Sequence, residues 1–336
     1  MMRRFFALLL AAVLALSLLA GCTKSQEDAQ QQTGTSSDVS MAVVVAGTFG
    51  DRSFYDSSKE GADRLAKDLG VQVKTIECNN VDHTQQIRNA ADAAEIVVLV
   101  GWEFYDVETV APEYPDVHFI WVDNATSAPV ANVLNITYAQ NEGSFLAGYI
   151  AAKMSQTGVV GAVGGEDTDT INDFIVGYTQ GAQYANSSIQ VETVYANTYD
   201  DPAVGKECAL TLHEKKADVV FQIASKTGDG VFQAAQEKGF YAIGVDSDQK
   251  YIADDVIICS MMKQVGNSIY EAVSDYISGD TSKWGTTWVA DMATGFIGIG
   301  YGEAGATQQV PDSLKSEVEE LAKKIVSGEI QVETTR

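Results

Sequence analysis

The chain has 336 residues, with 22 Lys and Arg against 46 Asp and Glu and a formal net charge of −24. A surplus of acid on that scale repels phosphate backbones and anionic lipid headgroups, which argues against nucleic acid and against an anionic membrane surface as partners. A neutral polyol or a cationic solute stays open as a ligand.

The N-terminus opens with Arg3-Arg4, an almost unbroken apolar run from Phe5 to Ala20, and then Gly21-Cys22. A basic start followed by such a stretch reads as a secretory signal. It is at the short end for a spanning helix, which needs roughly 20 residues. Leu19-Ala20-Gly21-Cys22 resembles the bacterial lipobox, in which the cysteine is acylated and becomes the first residue of the mature chain. Residues 1–21 are therefore expected to be a lipoprotein signal peptide and Cys22 the lipidation site. The body would then sit at the extracytoplasmic face of the cell membrane. Residues 22–40 are rich in Gln, Ser and Thr and nearly free of apolar side chains. They cannot bury enough surface to fold and read as a flexible tether. No second segment is apolar enough to span a membrane.

Roughly 300 residues follow Ser40, enough for two domains. Met41–Ala46 is a continuous apolar run, as expected of a strand buried on both faces. Asp56–Leu69 has helical spacing and stops at Gly70; Val71–Cys78 reads as a strand and Asp82–Ala94 as a helix. Ile96–Val100 is a second buried strand, Val107–Tyr114 a short helix stopped by Pro115, His118–Val122 a strand ending at Asp123, and Val133–Thr137 a further strand. A second series begins near Asn141. It runs helix Glu142–Met154, strand Val159–Val163, helix Asp169–Ala185, strand Gln190–Tyr195 and helix Pro202–Lys215, whose Pro202 suits a first helical turn. Strand Val219–Ile223, helix Thr227–Lys238, strand Tyr241–Val245, strand Val256–Ser260, helix Lys263–Ile277 and a last helix Leu314–Ser327 complete it. Alternation of this kind predicts an α/β protein with parallel sheets covered by helices, and two successive series predict two such domains.

Ligands of open parallel sheets bind beyond the carboxyl ends of the strands, so the residues just after strands are the candidates for chemistry. They hold no Ser/His/Asp set, no Cys/His pair and no carboxylate pair at a catalytic spacing. Asp123 and Asp246 each follow a strand, and a carboxylate there can accept two hydroxyl hydrogen bonds from a sugar. Taken singly, either could instead be a helix cap or a loop carboxylate. Phe49, Phe54, Trp102, Phe104 and Tyr105 cluster after two strands and offer faces for an aromatic ring. Gly298–Gly302 and Lys226–Gly230 match neither phosphate-binding fingerprint. Gly228 and Gly230 suit a tight turn that lets the backbone approach a ligand. Cys78, Cys208 and Cys259 fit no zinc or CxxC spacing and read as buried small hydrophobes, with one disulfide left open. The three histidines are isolated, so neither a metal nor a cofactor is expected.

Several segments carry a resemblance. Gly50-Asp51-Arg52-Ser53-Phe54, followed by Glu60-Gly61, resembles the DDxSFN element of the BMP (basic membrane protein) family of ABC-transporter lipoproteins, its purine-nucleoside-receptor-like branch. Tyr114-Pro115-Asp116 with Phe119 and Asp123, the helix from Glu142 to Ala152, Thr198-Tyr199-Asp200-Asp201-Pro202, Gly244–Gln249 and Ser260–Lys263 are similar to further family elements, in order. The resemblance implies a type I periplasmic-binding-protein fold, two doubly wound parallel-sheet lobes joined by a three-crossover hinge that closes on the ligand. Lobe 1 would comprise 41–137 plus about 261–292, and lobe 2 138–260 plus about 293–336. It also implies Phe54 and Tyr199 on the two faces of a base, Asp123 and Asp246 on ribose hydroxyls, Lys263 near the ribose or orienting Asp246, and Gly228 in a turn approaching the base.

The base end departs from the family. Val45-Ala46-Gly47-Thr48 carries no acid where purine-binding members have an Asp, Tyr55 replaces an Asn, and Ala224-Ser225-Lys226 replaces Ala-Gly-Gly. A purine, another nucleoside or a different ring-bearing solute therefore stays open. The expected role is capture of a small polar ligand, a nucleoside by resemblance, for an ABC permease by a monomeric, lipid-anchored binding protein without catalysis. A ligand-sensing lipoprotein not coupled to transport is the alternative. An exported nucleoside-processing enzyme would need a general-base or metal cluster that the sequence does not display.

Overall fold

The computed structural model describes residues 38–79 and 81–335. The signal peptide, Cys22 and nearly all of the expected tether lie outside the described residues. The elements in chain order are β1 (Ser40–Val45), α1 (Phe54–Leu69), β2 (Gln72–Glu77), α2 (His83–Ala91), β3 (Ile96–Val100), α3 (Val107–Val110), β4 (His118–Val122) and β5 (Val133–Tyr138). There follow α4 (Gln140–Met154), β6 (Val159–Gly164), α5 (Asp169–Ala185), β7 (Gln190–Tyr195), α6 (Pro202–Glu214), β8 (Val219–Ile223), α7 (Asp229–Lys238), β9 (Tyr241–Asp246) and β10 (Ile257–Lys263). The chain ends with α8 (Val265–Ile277), β11 (Thr287–Ala290), β12 (Ile297–Gly300) and α9 (Asp312–Val326).

These strands form two six-stranded sheets, in the orders β11-β5-β4-β3-β1-β2 and β12-β10-β9-β8-β6-β7. Every neighbouring pair is parallel except β10 with β12. Central strands are buried along their whole length because helices cover both faces: Ile96–Val100 of β3 is apolar throughout, and Val219–Ile223 of β8 is apolar except for the buried Gln222. The edge strand β2 reads Gln-Val-Lys-Thr-Ile-Glu and is largely open to solvent, a charged edge that discourages pairing with another chain. Each sheet has one point where the strand order reverses, between β1 and β3 and between β6 and β8. That is where open α/β sheets present a crevice.

The chain passes between the sheets three times: after β5, between β10 and β11, and between β11 and β12. β10 stays in the second sheet through Lys263, slightly past the lobe boundary expected near residue 260, and α8 starts at Val265 instead of Lys263. The expected helix 107–114 is one turn of α-helix followed by a 3₁₀ turn at Ala111–Glu113, because Pro112 cannot donate a helical hydrogen bond. The sequence pattern gave no warning of β11 and β12. Each is four residues long on a sheet edge, and the glycines of β12 dilute any alternation.

Helices meet at glycines. A Cβ at Gly148 of α4 would lie 2.0 Å from the carbonyl oxygen of Tyr178 in α5, and one at Gly181 would lie 1.8 Å from that of Phe145. Gly61 of α1 and Gly266 of α8 touch in the same way, with a Gly61 Cβ only 2.2 Å from the Gly266 oxygen. Thus α8, although it follows a strand of the second sheet, is seated against a helix of the first. Cys78, Cys208 and Cys259 are separate buried thiols. Among the described residues, no helix is long and apolar enough to cross a membrane.

Candidate functional site

A cavity of about 100 Å³ lies between the two lobes, lined by residues that follow the carboxyl ends of strands in both sheets. The turn from β1 into α1 supplies Phe54 and Tyr55, the end of β3 supplies Gly101–Glu103, and the end of β4 supplies Asp123. From the other lobe come Thr168, Thr170, Ile171 and Phe174 around the start of α5, Tyr199 after β7, Ser225 after β8, and Asp246 and Lys263 at the ends of β9 and β10. A wider open groove of about 940 Å³ borders the outer side of Asp246; its rim carries Asp56, Glu60, Asp63 and Asp248 with Arg52 and Arg64. The smaller cavity has the aromatic walls.

Three lining residues have a left-handed backbone: Asp123 at φ 74°, Ser225 at φ 49° and Asp246 at φ 64°. Non-glycine residues adopt this conformation infrequently, and aspartate tolerates it better than most. Such positions recur where a strand end must turn a polar group into a site.

Lys263 is buried at the centre of the polar group. Its Nζ donates to Asp123 Oδ2 at 2.7 Å and lies 4.9 to 5.3 Å from the ring centroids of Phe54, Tyr138 and Phe174. Asp246 is also buried. Burial pushes its carboxyl up to about 6, against the opposing pull of Lys263 and of a hydrogen bond from Ser53. That bond, Ser53 Oγ to Asp246 Oδ2 at 2.5 Å, joins the two lobes.

Other bonds cross at the same place. Asp51 accepts from the backbone N–H groups of Ser53, Tyr55 and Asp56, so it caps the start of α1, and it accepts from Ser225 Oγ at 2.8 Å. Arg52 pairs with Asp229. Gln249 Nε2 donates to the Arg52 carbonyl at 3.0 Å, while Gln249 Oε1 accepts from Gln222 and from the backbone of Val245.

Of the residues singled out in the sequence, Phe54, Asp123, Tyr199, Asp246 and Lys263 meet in this cavity. Trp102 stands at its rim, 47% exposed. Gly228 does not join the lining. It lies in the 3₁₀ turn Ser225–Gly228, where a Cβ would be 1.9 Å from Gln222 Oε1, so its missing side chain makes room for a buried amide, and Ser225 takes the position on the cavity. Lys263 contacts Asp123 directly and acts on Asp246 only through its charge.

Sequence reasoning gave no individual role to Glu103, Ser225 or Gln249, which follow strands, and did not single out Phe174. Phe174 lies inside a helix, where an aromatic normally means core. Glu103 sat beside the Trp102 that was noticed, and its position after β3 was the available signal. Gly165 has a clear use: a Cβ there would lie 2.0 Å from the Tyr199 ring, which rests on the bare backbone.

Two doubly wound lobes with an aromatic, carboxylate-bearing cavity between their strand ends define a two-lobed solute-binding protein. Residues 38–336 match the family described as Bmp, ABC transporter substrate-binding protein PnrA-like, and the chain belongs to that family. It is 31% identical over 298 residues to basic membrane protein A2 of Borrelia garinii subsp. bavariensis, covering 87% of each chain. It is 30% identical over 302 residues to basic membrane protein A of Borreliella burgdorferi, covering 88% of each. Among solved structures it is similar to an ABC transporter solute-binding protein from Aeropyrum pernix K1, with TM-score 0.79 and 27% identity, covering 88% of this chain and 93% of that one. A solute-binding protein from Conexibacter woesei gives TM-score 0.72 and 26% identity, with coverage of 88% and 99%. The type I fold expected from the resemblance is the fold of the molecule.

Proposed function

We propose that this protein binds a nucleoside between its lobes and presents it to an ABC permease. It would work as a monomer held by a lipid on Cys22 at the extracytoplasmic face of the membrane. The observation that carries the ligand class is the composition of the aromatic-walled cavity. Asp123 and Asp246 stand on the two lobes with Lys263 beside them, and Phe54, Phe174 and Tyr199 form apolar walls around the same space. Carboxylates accept paired hydroxyls of a ribose, and aromatic faces stack on a heterocycle for about 1–3 kcal/mol per contact. Capture and release, not turnover, is the role the family supports.

A thermal-shift screen of the purified chain against nucleosides, free bases, ribose and other small polar solutes tests this reading. A ligand at 100 times its dissociation constant adds about 2.7 kcal/mol of stability. Shifts with nucleosides that exceed those with free bases or ribose are expected. A shift with another solute and none with any nucleoside overturns the ligand assignment. Processing by metabolic labelling with a fatty acid tests the anchor: label is expected on the wild type and absent from C22S.

A further inference from the structure

Glu103 follows β3 in the short turn Trp102–Phe104 and lines the same cavity as Phe54 and Tyr199. Its own backbone N–H acts on its carboxyl. The oxygen Oε2 is buried and has no hydrogen-bond partner among the described residues. A buried acceptor left without a donor is costly, and native structures keep few of them without a use. The charged groups that act on Glu103 most are the carboxylates of Glu166 and Asp123, while Tyr55, Tyr199 and the Cys78 thiol sense its charge from the elements around it. Space is reserved for it as well: Gly101, at φ 127°, would place a Cβ 2.4 Å from Oε2.

We propose that Glu103 is the specificity-determining acid of the cleft, accepting through Oε2 a hydrogen bond from an N–H on the edge of the heterocycle held near Phe54 and Tyr199. The ligand class this selects is a ring edge with an N–H beside a lone-pair acceptor, as in the lactam or amidine edge of a nucleobase. Burial, reinforced by the two neighbouring carboxylates, pushes the Glu103 carboxyl up to about 7. Near neutral pH a share of the molecules therefore carries the proton, and in that form Glu103 offers a carbonyl acceptor and an O–H donor together, which complements both edges. The inference rests on the nucleoside reading above and adds which residue distinguishes one base from another.

The test couples a change in the ligand to a change in the protein. Affinities of the full chain are measured by calorimetry for inosine against 1-methylinosine and for adenosine against N6,N6-dimethyladenosine, with wild type, Glu103→Gln and Glu103→Ala. Circular dichroism confirms that each variant is folded. For whichever unmodified nucleoside binds, blocking the N–H is expected to cost wild type on the order of tenfold or more. The same methylation is expected to cost Glu103→Ala less than threefold, with Glu103→Gln, which keeps an acceptor, in between. A methylation penalty equal in wild type and in both variants overturns the role of Glu103 and leaves the nucleoside reading standing. Absence of binding by wild type to every nucleoside overturns both.

Discussion

The Nζ of Lys263, the last residue of β10, lies 2.7 Å from Oδ2 of Asp123, the residue that follows β4 in the other lobe. The cation is shielded from water by three aromatic rings, so the bridge is both a link between lobes and one wall of the cavity. Removing one partner of a buried pair strands the other, at a cost of about 3–5 kcal/mol. Lys263→Met should therefore lower stability by an amount of that order in urea titration, and Lys263→Met with Asp123→Asn should recover part of it. A single variant as stable as wild type would show the bridge to be energetically idle.

Asp246 serves the backbone and the site at once. Its left-handed conformation at φ 64° suits Asn nearly as well as Asp but costs Ala about 1–2 kcal/mol. Asp246→Asn also removes a buried charge. We expect it to fold at least as stably as wild type while binding ligand at least tenfold more weakly by calorimetry, and Asp246→Ala to lose both stability and binding. Wild-type affinity in Asp246→Asn removes Asp246 from the site.

Gly165 supports Tyr199 by having no side chain. An alanine there must push the ring away, since its Cβ would lie 2.0 Å from it. The ring borders a cavity and has room to move, so the expected outcome is a loss of affinity of at least tenfold with a melting temperature changed by only a few degrees. A large drop in melting temperature with unchanged affinity would assign Gly165 to packing alone.

Acid should stabilise the free protein between about pH 7.5 and pH 5.5. Burial raises Glu103 to about 7 and Asp246 to about 6, both above their unfolded values. The folded state then binds more protons than the unfolded state across this range, so stability falls as pH rises through those values. Asp51 is raised by burial as well and pulls in the same direction. His118, lowered by burial, opposes them below its ordinary range. Comparing wild type with Glu103→Gln isolates one contribution: the variant should lose less melting temperature between pH 5.5 and pH 7.5 than wild type. Identical slopes would mean that Glu103 titrates as it would in water.

Much of the fold was legible because central strands buried on both faces are largely apolar runs, interrupted only by His118 at the start of β4 and Gln222 in β8 among the three that follow. Ile96–Val100, His118–Val122 and Val219–Ile223 were read to the residue. β11 and β12 escaped because four residues on a sheet edge have one strand neighbour and little reason to be apolar. At the site, Asp123 and Asp246 were found from their position after strands alone, without any relative, while Tyr199 and Lys263 needed the family pattern. Gly228, which lies off the cavity lining, shows why a glycine is hard to read: its vacancy faces Gln222 inside the lobe, and no local pattern tells which side of a turn a missing side chain faces. Glu103 was given no role of its own because one carboxylate among 46 acidic residues becomes distinctive only when its buried Oε2 is seen to lack a donor among the described residues.

The contacts at Gly61, Gly148, Gly181 and Gly266 are seams between helices, outside the lining of the aromatic cavity. Even a methyl group there would run into a carbonyl of the opposing helix, and backbone cannot step aside as a side chain can. In a mutational scan scored by growth on an imported nutrient, these positions should reject every replacement, alanine included, whereas Trp102 at the mouth of the cavity should accept many. A search for the binding site by intolerance alone would then be drawn to the seams between helices before it reached the cavity.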